Sequence, residues 1–466
     1  MELQSESKQT GLQVLLKQAE QLSSSSIRDQ IVEQLYQKST DLVKEGVIFT
    51  KTAYDQKTEK LDAVFTSLIW GFPIMLLMLG VVFYLTIAGA NVPSSMLAEF
   101  FSWIEGYLTL MFTALHAPDW LHGVLVLGLF RGTGWVISVM LPPMAIFFPT
   151  FALLENYGYL PRVAFNMDRL FKTVGAHGKQ SLTMAMGFGC NAAAVMSSRI
   201  IESPRERMLA ILTNNFVPCN GRWGTLIVLA SLFMASGFTG GMKSFVTTSV
   251  VVGIVLIGII TTFVVSWALS KTALRGVPTH YTLELPPYRK PKFFDTVIRS
   301  SLNKSLSVLN RAVKVAAPAG ILTWVLANIQ VGDISILLHI VNFLDPLGQA
   351  IGLDGFILMA FLIGLPANEI VLPILLMGYL STGALIDVDG ISDLKQIFLD
   401  HGWTWLTALN MMLFSLLHFP CGTTLVNIYK ETKSLKWTFW SFMIPTSIAF
   451  IVTFVIAQLV RLMGWV

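Results

Sequence analysis

The chain has 466 residues, of which 54% are hydrophobic and 13% charged, with a formal net charge of +4. An average soluble domain carries roughly 25% charged residues, and a mean hydropathy of +0.64 leaves too little polar cover for a soluble surface. The lipid bilayer is therefore the natural solvent, and the basic residues, set in connections between apolar runs, fit the positive-inside rule and not nucleic-acid binding.

Residues 1–60 are polar and read as a short helical stub. Leu12, Leu15, Leu16, Ala19 and Leu22, then Ile27, Ile31, Leu35 and Leu42, recur at helical spacing on either side of a serine run at 23–26. No cleavable signal peptide precedes the first apolar run, so the stub is expected in the cytoplasm. Val64–Ala88 predicts the first spanning helix, with Pro73 near its start. Residues 94–116, with Glu99 and Glu105, predict an interfacial or short helix. A long apolar stretch, 120–160, is interrupted by Gly132, Gly134, Pro142, Pro143 and Pro149, and further apolar stretches cover 180–200, 208–235 and 245–270.

The segment 271–307 is the most polar internal one. Lys271, Arg275, Arg289, Lys290, Lys292, Arg299 and Lys304 place it on the cytoplasmic side. Apolar stretches then follow at 312–330, 333–350, 355–380, 403–426 and 438–463, some too broken to be simple spans. The expectation is an all-α polytopic membrane bundle with eight to ten crossings. Its units are the stub 1–60, a first membrane half 61–270, the cytoplasmic basic loop 271–307 and a second membrane half 308–466.

The two halves share a duplication. Asp168, Leu170, Gly175, Gly178, Gly187 and Asn191 recur as Asp345, Leu347, Gly352, Gly355, Gly364 and Asn368, each offset by 177 positions. Pro218-Cys219 recurs as Pro420-Cys421 after an acidic insertion near 380–400. The connection 160–180 holds Arg162, Arg169, Lys172 and Lys179, whereas its counterpart 337–357 has no Lys or Arg. By the positive-inside rule the two lie on opposite sides, which predicts an inverted repeat. Matching Gly/Pro interruptions in such repeats point to a transporter's substrate site, because broken helices expose backbone groups that only protein or a polar cavity can satisfy.

The breaks also carry the chemistry. Gly187-Phe188-Gly189-Cys190-Asn191 pairs with Gly364-Leu365-Pro366-Ala367-Asn368-Glu369, and Pro218-Cys219 with Pro420-Cys421, so all three cysteines fall at repeated breaks. Thiolate and thioether ligands favour softer and borderline metals such as Fe(II), Cu(I) or Zn(II). Glu369 can neutralise a divalent cation, and a carboxylate at bilayer depth is a functional-site hypothesis by default. The candidate metal path is thus Cys190, Asn191, Cys219, Asn368, Glu369 and Cys421. Gly187, Gly189, Glu155, Gly364, Pro366, Pro218 and Pro420 are gate or support positions. His418 is a further possible ligand, and Arg199, Arg205 and Arg207 read as interfacial anchors. Buried cysteines more often act as small hydrophobes, and Met184, Met186 and Met196 as core filler. No phosphate-binding loop, zinc-protease signature or esterase elbow occurs, so enzyme readings have little to stand on.

The combination resembles the membrane (gate) domain of the ferrous iron transport protein B family. It rests on G-F-G-C-N at 187–191, R-E-R at 205–207, the two Pro-Cys sites, and Leu154-Glu155 with Gly158-Tyr159, Arg162, Ala164-Phe165 and Asp168-Arg169. Leu285-Pro286-Pro287-Tyr288-Arg289 and Lys430-Glu431-Thr432 extend it, and the likeness runs from about residue 60 to the C-terminus. The resemblance implies a bacterial inner-membrane permease whose substrate is Fe(2+), with no permanently bound cofactor. Its three metal-pathway cysteines match Cys190, Cys219 and Cys421, and its gate glutamate matches Glu369. That family usually carries a fused GTP-binding domain ahead of the membrane part. Here only 1–60 stands there, which suggests a separate small GTPase docking on it, and a homo-oligomer is left open. The family's usual Val-Pro after the first motif is Ala192-Ala193, and a frequent lysine before the gate glutamate is Asn368. Two other readings compete: a carrier for a nucleoside or other small organic solute, with Phe188, Trp223 and Trp403 for stacking, and a non-transporting membrane regulator.

Overall fold

The computed structural model describes residues 53–276 except 68, residues 293–299, 305–380 except 333, and 391–465, with Tyr288 and short pieces of 31–43. The first expected stub helix, most of the basic loop and the tip of the acidic insertion lie outside the described residues. In the second stub segment, residues 34–39 are helical and exposed.

Two layers of structure follow. A scaffold is built from α1 (Ala53–Phe65), α2 (Gly71–Ala114), α3 (Asp119–Tyr157, with a π-helical stretch at Gly123–Phe130), and then the gate begins with α4 (Tyr159–Thr173). The first gate repeat continues through α5 (Gln180–Gly189), α6 (Asn191–Ser197), α7 (Pro204–Thr213) and α8 (Asn220–Leu229). Helix α9 (Gly240–Lys271), the short α10 (Phe293–Arg299) and α11 (Leu306–Asn328) lead to the second repeat. That repeat comprises α12 (Ile336–Ala350), α13 (Gly355–Ile363), α14 (Val371–Leu380), α15 (Ile391–Asp400), α16 (Trp405–Leu417) and α17 (Gly422–Thr432), and α18 (Leu435–Leu462) closes the chain. A two-residue hairpin, Gln330–Val331 with Ile334–Ser335, is the β structure among the described residues.

The first two expected membrane helices are redrawn. Val64 belongs to α1, the span begins at Gly71, and 94–116 is no separate interfacial helix: α2 runs 44 residues without a break. Pro93 removes one backbone hydrogen bond but does not stop the helix.

Among the described residues, four helices are long and apolar enough to cross a bilayer: Asp119–Tyr157, Met242–Lys271, Trp405–Thr432 and Leu435–Leu462. A fifth is added if α12 and α13, bent by 114°, are taken as one. Shorter apolar helices at Gly71–Thr86, Val313–Asn328 and Asn368–Leu380 account for further apolar stretches behind the expected eight to ten crossings. Burial tells the helices apart. The most apolar stretch of Trp405–Thr432 is 83% buried, whereas Met242–Lys271 and Leu435–Leu462 bury only 28% of theirs. The first is wrapped by protein, and the other two present their sides outward to lipid.

The duplication is geometric as well as sequential. Asp168 Oδ1 accepts the Gly178 N–H at 3.1 Å, and Asp345 Oδ1 accepts the Gly355 N–H at 2.9 Å. Lys172 Nζ holds the other Asp168 oxygen at 2.6 Å, and Gln349 Nε2 holds that of Asp345 at 2.6 Å. Between these anchors Gly175 (φ +74°) and Gly352 (φ +72°) take the same left-handed turn. A glycine is required at both, because other residues pay about 1–2 kcal/mol there.

Candidate functional site

Each repeat carries two breaks, and each break frees backbone polar groups. Cys190 interrupts α5 and α6 in an extended conformation (φ −156°, ψ 117°), and its repeat counterpart Ala367 does the same (φ −151°, ψ 122°). Asn191 and Asn368 each follow immediately, opening α6 and a short 3₁₀ turn at Asn368–Ile370. At the second breaks, Cys219 and Cys421 are both extended and stand at the N-caps of α8 and α17. Pro218 and Pro420 precede them and supply no N–H, so neither helix can be extended backwards through them.

The breaks interlock across the repeats. Asn427 Nδ2 donates to the Ala192 carbonyl at 3.2 Å, joining α17 to the first break of repeat one. Asn215 Nδ2 donates to the His418 carbonyl at 2.5 Å, joining the two second breaks. Within repeat two, the Gly422 N–H donates to Leu365 O at 2.7 Å. The freed backbone groups are thus partly used to tie one break to another.

Together the four breaks enclose one cavity of about 20 Å³, room for roughly one water-sized particle. Cys190, Asn191, Cys219, Asn368, Glu369 and Cys421 all line it, and so do Gly189 and Pro366. Asn368 Nδ2 lies 4.0 Å from Cys219 Sγ, while its carbonyl oxygen is buried without a hydrogen-bond partner. Cys421 Sγ lies 3.2 Å from Thr424 Oγ1. Asn191 is held from its other side: its Oδ1 accepts from Asn214 at 3.2 Å and its Nδ2 donates to Asn215 at 3.4 Å. Among the described residues no three His, Cys, Asp or Glu side chains stand close enough to hold a metal ion as a ready-made cage.

The remaining sequence candidates fall elsewhere. Gly187 and Gly364 pack the break from behind: a Cβ at Gly187 would meet Asn214 Oδ1 at 2.9 Å, and one at Gly364 would meet Val371 at 2.7 Å. Glu155 is exposed near the end of α3, outside the cavity, because the helix closes at the left-handed Gly158 just beyond it. His418 does not line the cavity. Its ring sits between Phe361, Phe414 and Phe419, its Nδ1 donates to the carbonyls of Ser415 and Phe414, and its Nε2 is buried without a partner. Arg199 and Arg205 are more than interfacial anchors. Arg199 pairs with Glu431 through two bonds of 2.6 and 2.8 Å, which raises its pKa, and Arg205 donates to Leu274 O at 2.6 Å. Met184, Met186 and Met196 are packed in the apolar clusters as expected.

Three contributors were not singled out from the sequence. Met140 and Met144, on either side of the Pro142-Pro143 pair in α3, bring two thioether side chains to the cavity. Arg222, in α8, is wholly buried at 0% exposure. Its Nη1 donates to Asn215 O and Leu416 O at 2.8 Å, and its Nη2 to Asn215 Oδ1, His418 O and Phe419 O at 3.2–3.3 Å. Arg222 stands within electrostatic reach of Cys219, Cys421 and Glu369. The signal was available: a charged residue inside the apolar stretch 208–235 is a functional-site pointer.

Broken, duplicated helices around a shared cavity define a gate-type, multi-pass membrane protein. Residues 137–236 and 309–435 match the family described as Gate, nucleoside recognition, and residues 251–302 match that described as ferrous iron transport protein B C terminus. Relatives include the Fe(2+) transporter FeoB of Staphylococcus aureus strain COL, 28% identical over 93% of this chain and 66% of its own. Those of Methanocaldococcus jannaschii (28%; 93% and 63%) and Campylobacter jejuni (27%; 85% and 64%) are similar. The chain spans about two thirds of the length of these curated relatives. No solved structure matches it. The two family models and these relatives together support the membrane gate domain of the ferrous iron transport protein B family as what this chain is similar to.

Proposed function

We propose that this chain is a membrane permease for a divalent metal cation, with ferrous iron as the transported substrate. The observation that carries the reading is the small cavity into which the two repeats deliver three thiols, an unpaired amide oxygen and Glu369, with two thioethers added from α3. Sulfur with a few oxygens suits a borderline metal. The absence of a ready-made cage among the described residues suits passage, since a tightly closed site would not release its ion. The relatives are named as Fe(2+) transporters, which favours iron within this class.

The nucleoside reading fares worse. Sites for small organic molecules are typically 300–1,000 Å³, against about 20 Å³ here. The aromatic residues proposed for stacking are already occupied. Phe188 stacks on Trp223, and Trp403 stacks on Phe398 at 4.2 Å while donating to Tyr379.

The rest of the reading is architectural. The two repeats are inverted, the basic 271–307 segment and the N-terminus face the cytoplasm across the inner membrane, and a separate GTPase docks on residues 1–60. The direct test is Fe(II) uptake into proteoliposomes. The triple variant Cys190→Ser, Cys219→Ser and Cys421→Ser is expected to lose at least tenfold in rate while remaining folded by size-exclusion chromatography. Unchanged uptake by that variant refutes a thiol-lined path.

A further inference from the structure

Arg222 touches both second breaks at once. Its five hydrogen bonds reach Asn215 in repeat one and Leu416, His418 and Phe419 in repeat two. A guanidinium with no exposed surface is a fixed positive charge, because it does not lose its proton in proteins. It lies one turn from Cys219 and within electrostatic reach of the Glu369 carboxylate, whose side chain rests on the neighbouring Gly221. Glu369 makes no ion pair of its own among the described residues.

From this placement we infer that Arg222 is the specificity-determining residue of the path: its charge balances Glu369 and denies passage to monovalent cations. The inference rests on the permeation reading above and deepens it. A lone carboxylate beside a water-sized cavity in a low-dielectric interior would attract any small cation. With Arg222 beside it the local charge sums to about zero, so K⁺ or Na⁺ gains nothing from the field to offset its lost hydration. Hard monovalent ions also gain little from thiol and thioether sulfur. A borderline divalent metal gains nothing from that field either, but thiol and thioether sulfur can replace part of its hydration, which they do not do for K⁺ or Na⁺.

The test separates charge from bracing. Proteoliposomes carry the full chain, and K⁺ flux and Fe(II) uptake are read on the same vesicles. The wild-type chain and Arg222→Lys are expected to be tight to K⁺. Arg222→Gln should raise K⁺ flux at least tenfold, and the double variant Arg222→Gln with Glu369→Gln should return it to the wild-type level. A leak that persists in the double variant, or one in Arg222→Lys as large as in Arg222→Gln, means that lost bracing opened the path and overturns the inference. So does a folded Arg222→Gln chain that stays tight. If Arg222→Gln does not fold, Arg222→Lys and the double variant decide alone, since a leak in either overturns the inference. A wild-type chain that takes up no Fe(II) while this K⁺ pattern holds defeats the iron reading and leaves the charge balance standing.

Discussion

Glu369 rests on the backbone of Gly221, so closely that a methyl group built there would lie 2.3 Å from the carboxyl carbon. The contact joins the first break of repeat two to α8, the helix that follows the second break of repeat one. It holds the only carboxylate of the cavity lining against the helix that carries Arg222.

Gly221→Ala should therefore displace the carboxylate without unfolding the protein, since the clash is with the far end of a flexible side chain. Overpacking of this kind costs about 1 kcal/mol or a little more. Fe(II) uptake is expected to fall at least tenfold while the melting temperature moves by only a few degrees. A folded variant with the wild-type rate would show that the seat of Glu369 does not matter.

Two asparagines of the site should respond in opposite ways. Asn368 leaves its oxygen unpaired and its amide only 4.0 Å from a sulfur, so Asn368→Ala removes little that stabilises the fold. Asn215 bridges Asn191, Arg222 and His418, and Asn215→Ala strands buried partners at a cost of about 2–3 kcal/mol. Thermal unfolding in detergent should show Asn215→Ala clearly destabilised and Asn368→Ala near wild type, with uptake reduced in both. Equal melting temperatures for the two would contradict this division.

A third test concerns the attachment of α1. Arg162 is 1% exposed, its Nε and Nη2 reach the two Asp62 oxygens at 2.9 and 3.2 Å, and its guanidinium lies 4.1 Å over the Tyr288 ring. The Tyr288 hydroxyl donates to Asp62 at 2.9 Å. Asp62→Asn leaves a buried guanidinium without its counter-charge and should cost about 3 kcal/mol. Burial, and after it the hydrogen bond to Asp62, push the Tyr288 phenol above its usual range. A raised phenol favours folding below the unfolded value of about 10 and loses that contribution as pH rises beyond it. Wild-type melting temperature should thus decline above about pH 10, and Tyr288→Phe should decline less. Identical alkaline profiles would remove Tyr288 from the account.

The sequence by itself determined the solvent, the helical class, the duplication and the family likeness. These are carried by composition and by local spacing: 54% hydrophobic residues, apolar runs of spanning length, and glycines and asparagines offset by 177 positions. It also named the four breaks of the repeats, but not which Gly and Pro leave a helix intact: Pro142, Pro143 and Pro149 lie inside α3, which does not break there. Tertiary structure alone decided which break faces which. That Cys190 and Glu369 line one cavity, that Glu155 stands outside it, that Met140 and Met144 join it, and that Arg222 is buried behind it bridging the two second breaks depends on contacts between residues scores of positions apart. Helix length was decided in the same way. The sequence divides 64–88 from 94–116, yet α2 runs through both as one helix of 44 residues with Pro93 inside it.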